Sequence, residues 1–173
     1  MRPGVRKAVL VVHVVTSVGW LGAVAAYLAV DLTAVISRDV ETARAAFIVM
    51  QVIVRRVIVP LALASVIIGV VNALGTSWGL FRHYWVLLKL LLTIFATTVL
   101  LIESQTVNAL ATAAGSSGDP RGLPGTLLHS IGGLVILAFI TVVSVHKPRG
   151  LTRYGWRQLQ RRRETLGHQH RIS

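Results

Sequence analysis

The sequence predicts an all-α polytopic membrane protein, a bundle of four transmembrane helices with an amphipathic segment ahead of the second. Composition is the first observation: of 173 residues, 54% are hydrophobic and only 14% charged, against about 25% charged in a soluble domain. The second is length. The apolar residues fall into four runs, each near or above the ~20 residues a helix needs to cross a hydrocarbon core of ~30 Å. The third is continuity. The runs are too long and uninterrupted for barrel strands, and open sheet would leave unpaired backbone groups in lipid.

Span one covers residues 8–30. Arg2, Arg6 and Lys7 precede it, and the small residues at 22–26 would suit leader cleavage. The apolar run continues past that point, however, and His13, Thr16 and Ser17 interrupt it, so it reads as a retained helix. Segment 31–56 mixes Asp31, Arg38, Asp39, Glu41 and Arg44 with Ala, Val and Ile. It is predicted to pack along the outer membrane surface and then turn into span two. Span two covers 57–74, with its helix starting earlier, near Glu41. Pro60 has no N–H for the Arg56 carbonyl and should kink this helix below Arg55 and Arg56.

Span three covers 84–110, opened by an aromatic belt of Trp78, Phe81, Tyr84 and Trp85 around Arg82 and His83. Span four covers 126–146, after a connection at 111–125 rich in Gly, Ser and Pro. Residues 1–147 thus form the transmembrane domain and 148–173 a basic tail. Lys147, Arg149, Arg153, Arg157 and Arg161 to Arg163 follow span four and assign the C-terminus to the cytoplasm. Four spans then return the N-terminus to the same side, giving a multi-pass protein of the cell (inner) membrane whose partner is the lipid bilayer. Arg55 and Arg56 break the charge rule, since they fall at the external end of span two, and a specific partner would explain them.

The net charge of +12 does not imply nucleic acid, because the basic residues cluster at the chain ends and helix borders. The sequence has no Cys, which excludes disulfides, thiolate ligation and c-type haem attachment. With only two Met, composition also argues against a soft Cu(I) site. No HExxH, GxSxG or phosphate-binding loop is present.

Ionisable groups inside lipid need a partner or a purpose. Span one carries His13, Ser17, Trp20, Tyr27 and Asp31 near one broad face. Beside it, Gly19, Gly22, Ala23 and Ala26 form a small-residue surface suited to helix packing or to a homo-oligomer. Span three carries Lys89 and Glu103, fourteen residues apart and so roughly 21 Å along the helix. Lys89 either snorkels to the inner headgroups or serves a buried partner. Glu103, about two-thirds of the way across, needs a proton or a cation, and Arg55 and Arg56 are the cations on offer.

By depth, His13, Asn72, His83, Lys89 and His146 form an inner set, and Arg55, Arg56, Glu103 and His129 an outer one. A b-type haem would take axial His from facing helices. His13 is depth-compatible with His83 or His146, and the two arginines could hold propionates. His129 lies beside Gly132 and Gly133, which a flat macrocycle needs and a neighbouring helix needs equally.

Two segments carry a family resemblance. One is His13 followed by Gly19-Trp20-Leu21-Gly22. The other runs from Trp78-Gly79-Leu80-Phe81-Arg82-His83-Tyr84-Trp85 to Lys89-Leu90. Together they resemble the CopD-like group of small bacterial membrane proteins, in particular an uncharacterised branch, over about three-quarters of the chain. The group includes copper-resistance D domains and the four-helix, haem-binding protoporphyrinogen oxidase. The resemblance implies that His13 serves a haem and that Lys89 is functional, although the oxidase's Pro- and Asn-rich motif after span two is not found. Three readings stay open: a non-catalytic membrane module, a b-haem or porphyrin-linked redox protein with His13 as axial ligand, and a small ion-coupled carrier using Glu103 and Lys89.

Overall fold

The computed structural model describes residues 2–75, 84–116 and 118–146, together with 156, 157 and 160. Trp78, Phe81, Arg82, His83 and nearly all of the basic tail lie outside the described residues. Helix α1 (Pro3–Ile36) opens on Pro3, where a missing N–H costs nothing. Helix α2 (Val40–Ile53) is capped by Asp39, whose carboxylate accepts from the Thr42 N–H at 2.8 Å. A π turn (Val54–Ile58) joins α2 to α3 (Val59–Gly75). Helices α4 (Tyr84–Gly115) and α5 (Leu127–His146) complete the bundle, with a short 3₁₀ turn at Pro120–Gly122 between them.

Among the described residues, four helical segments are long and apolar enough to cross a membrane: α1, the continuous α2–α3 helix, α4 and α5. The chain is an integral membrane protein. Its surface is inverted relative to a soluble bundle. Val11, Val15, Ile67, Leu91, Ile102, Val135 and Phe139 are all exposed, which places apolar side chains against lipid. The interior is filled by Trp20, Tyr27, Phe47, Met50, Ile58 and Leu137, interleaved with Ala46, Ala62 and Ala96.

Segment 31–56 stands upright instead of lying on the surface and turning. The π turn accounts for this, because i→i+5 bonding, as from Val59 N–H to Val54 O, lets the helix pass Pro60, which has no N–H to give. From Val40 onward the amphipathic segment is therefore a helical extension of span two, while Asp31 to Ile36 complete α1.

Helix lengths differ in a way that sets depth. Helix α1 has 34 residues and α4 has 32, but α5 has 20, about 30 Å and so just one hydrocarbon thickness. Contacts between antiparallel neighbours give the register. Lys89 meets Ser144 near one end of α5, and Glu103 meets His129 near the other. Helix α4 then continues to Gly115, about 10 residues past the level of Leu127 where α5 begins, an overhang of about 15 Å. The end holding the α1–α2 turn and the 116–126 connection is here the upper end. There α2, the top of α1 and the top of α4 project beyond α5. Arg44 ties this projection together by donating to the Ala114 carbonyl in the last turn of α4 and to the Ser116 and Gly118 carbonyls just beyond it, at a helix end whose final carbonyls have no intrahelical donor.

Candidate functional site

Polar side chains inside the bundle form two tiers. The upper tier is built around the start of α5. Asp31 is fully buried and lies on the same face of α1 as Tyr27, one turn earlier. Its carboxylate accepts from the Thr126 backbone N–H at 3.1 Å, the Thr126 hydroxyl at 2.9 Å and the Ser130 hydroxyl at 2.9 Å. It thus caps α5 from another helix, where the exposed peptide N–H groups and the helix dipole favour negative charge. The Thr126 hydroxyl hydrogen is committed to Asp31, so the Tyr27 hydroxyl donates to Thr126 Oγ1 at 2.6 Å. Gly125 makes the approach possible, since a Cβ there would lie 2.3 Å from Val35 Cγ2 and 3.2 Å from Asp31 Oδ1.

Beside this cap lies a second carboxylate. Glu103 Oε1 is 3.2 Å from His129 Nε2. Glu103 Oε2 is buried with no hydrogen-bond partner among the described residues. Both side chains line a cavity of about 80 Å³ walled by α1, the α2–α3 helix, α4 and α5, space for a few water molecules. Tyr27, Ser104, Thr126 and Ser130 add hydroxyls to its lining, while Trp20, Leu100 and Leu137 supply apolar wall. The Glu103 side chain is 18% exposed and that of His129 48%, so the pair runs from the cavity to the bundle surface.

The lower tier holds the other predicted residues. His13 lies against α3, where a Cβ on Gly69 would approach its Cε1 to 2.9 Å. Its Nδ1 is buried without a hydrogen-bond partner among the described residues. One turn above, Ser17 and Ser65 share a hydrogen bond of 2.8 Å. Lys89 donates to Ser144 Oγ at 3.0 Å and lies over the Trp85 ring, 4.8 Å from its centroid. Asn72 is half-buried on α3 about one turn below Gly69, and His146 is exposed, with Nδ1 3.1 Å from the Val142 carbonyl of its own helix.

Several sequence expectations change here. Glu103 takes His129, not Arg55 or Arg56. Val54 and Ile58 face the core while Arg55 and Arg56 are exposed, so the guanidinium groups leave the bundle on its other side. Glu103 is also shallower than its position in α4 suggests, because much of that helix is overhang. Its level is that of the first turn of α5.

The residues predicted to hold a haem do not converge. The two arginines and Gly69, which marks the level of His13, are 13 and 14 residues apart along one helix, about 20 Å. The cavity is lined near His129 and not near His13. His13, Lys89, Arg55, Arg56 and His129 therefore do not form one macrocycle site. Among the described residues no three His, Cys, Asp or Glu side chains gather as a metal site requires.

Sequence reasoning missed the cap. Asp31 was visible only as one member of a helix face and of the amphipathic segment. Thr126 and Ser130, four residues apart at the start of span four, are the signal that could have identified an acceptor arriving from elsewhere. Comparison of the chain with family models, curated proteins and solved structures found no match.

Proposed function

We propose that the protein is a small ion-coupled membrane carrier whose proton-binding group is Glu103. One observation carries this reading: a carboxylate on the cavity wall with a single protein partner, His129, and a second oxygen that is buried without a hydrogen-bond partner among the described residues. A buried carboxylate oxygen that lacks a donor calls for a proton or for a cation or donor within the cavity. Intramembrane acids of this kind are associated with ion pathways and proton relays. His129, half-exposed at the first turn of α5, connects Glu103 to the upper face. Trp20, Leu100 and Leu137 supply apolar wall to the cavity, and Lys89 is the second charge of the carrier, in the lower tier beside Ser144. The basic tail supports an upper end that faces away from the cytoplasm, with both termini cytoplasmic in a bacterial inner membrane. This accords with the resemblance to the CopD-like group.

The test is proton flux in liposomes containing the purified protein, read by a pH-sensitive dye under an imposed gradient. Flux above that of empty liposomes, lost in Glu103→Gln and largely kept in Glu103→Asp, is the expected result. Flux that Glu103→Gln leaves unchanged overturns the role of Glu103.

A second reading is a non-catalytic module that self-associates. It is favoured by Gly22 and Ala26, which are exposed on α1, where a Cβ on Gly22 would meet nothing within 4 Å. A protein that is inert in the flux assay and dimeric in detergent, becoming monomeric on Gly22→Leu, would select that reading.

A further inference from the structure

The geometry points to a lipid site: we propose that Arg55 and Arg56 hold the phosphate of an anionic phospholipid in the leaflet at the upper end, with its acyl chains running down the outer face of α3. Both arginines are exposed on the π turn. Among the described residues neither guanidinium has a hydrogen-bond or ion-pair partner, whereas Arg44 and Arg121 are bound to carbonyls and to Asp119.

Their depth follows from the packing of α3 on α1. Ser65 meets Ser17 and Leu61 faces Gly19. The antiparallel register therefore brings residues 55 and 56 level with about Tyr27, whose hydroxyl reaches Thr126 at the start of α5. Since α5 is just long enough to cross the hydrocarbon, both arginines lie within about one turn of its upper border. That is within the reach of an arginine side chain that snorkels to the headgroups.

The surroundings fit a lipid better than a free anion. Val52 and Val57 flank the pair and are 53% and 41% exposed, and Leu63 and Ile67 below are 41% and 61% exposed. A guanidinium pair above an apolar surface matches a charged headgroup above acyl chains. The planar donor fork suits phosphate oxygens bidentately. Two adjacent positive charges repel each other, and one shared anion relieves that. The same contact accounts for a pair of arginines at the membrane border that the positive-inside pattern disfavours.

The test uses the full chain in neutral phosphatidylcholine nanodiscs doped with a phosphatidylglycerol that carries a photoreactive group in one acyl chain. Labelled residues are identified by mass spectrometry. The expected result is labelling at Leu63 and Ile67, at least fivefold weaker in Arg55→Gln/Arg56→Gln and retained in Arg55→Lys/Arg56→Lys. Arg161→Gln/Arg162→Gln/Arg163→Gln, in the basic tail, should leave it unchanged. Equal labelling by a photoreactive phosphatidylcholine, or labelling that the double Gln variant does not weaken, overturns the proposal. Loss of labelling to millimolar inorganic phosphate assigns the pair to free anions and also overturns it. If the double Gln variant fails to fold, the comparison of the two lipids on the unmodified chain decides alone.

Discussion

Two carboxylates lie at nearly the same depth beside the start of α5, and their surroundings are opposite. Asp31 has three donors from Thr126 and Ser130 and no exposed surface. Glu103 has one partner and one buried oxygen without any among the described residues. The first arrangement is complete. The second is incomplete, and its residue lines a cavity. Satisfied burial fits a structural role for Asp31, and the unsatisfied oxygen is the feature on which the carrier proposal for Glu103 rests. The lower tier repeats the contrast in a weaker form: Ser17 and Ser65 satisfy each other, whereas His13 Nδ1, against Gly69, is buried without a hydrogen-bond partner among the described residues.

The strongest way to break the comparison is to remove the complete site. Asp31→Ala leaves the Thr126 N–H and two hydroxyls without their acceptor, and should lower stability by about 3 kcal/mol in a detergent unfolding titration. A loss below about 1 kcal/mol would mean that Asp31 is not the cap it resembles. Next in size is Gly125→Ala, whose Cβ would collide with Val35 and crowd Asp31. It should cost about 1–3 kcal/mol by the same measurement. Ser17→Ala and Ser65→Ala test a neutral pair in the other tier, where a double-mutant cycle should give a coupling of about 0.6 kcal/mol.

Glu103→Gln sharpens the comparison by its smallness. It should move stability by no more than about 0.5 kcal/mol while abolishing flux. A large destabilisation would class Glu103 with Asp31 as a structural acid.

The smallest effect belongs outside the membrane. Arg121 donates to Asp119 through Nε at 3.0 Å, and also donates to the Arg38 carbonyl at 3.1 Å, which links the 116–126 connection to the α1–α2 turn. The Arg121 side chain and its backbone N–H hold the Asp119 carboxyl below the usual aspartate range, at about 2. A depressed value in the folded state means that the carboxylate stabilises above the unfolded value of about 4 and that this contribution is lost as pH falls toward 2. Asp119→Asn should therefore differ slightly from the parent protein at neutral pH, and the two should converge at the acid end. A difference that persists unchanged at pH 2 would rule out the pair as its source.

The four spans, their order and the continuation of span two back to Glu41 were legible in the amino-acid sequence alone. Hydropathy and length are sums over neighbours in the chain, and a hydrocarbon layer about 30 Å thick converts those sums directly into helices. The polar residues that would need explanation were legible too, because His13, Lys89, Glu103 and His129 stand out from any apolar background. Their partners were not. Whether Glu103 meets Arg55 or His129 depends on the rotation of each helix about its axis and on the vertical register between antiparallel neighbours. Close packing at Gly69 and Gly125, the π turn ahead of Pro60 and the shortness of α5 beside its overhanging neighbours set both. Those are relations between segments distant in sequence, and only the tertiary structure decided them.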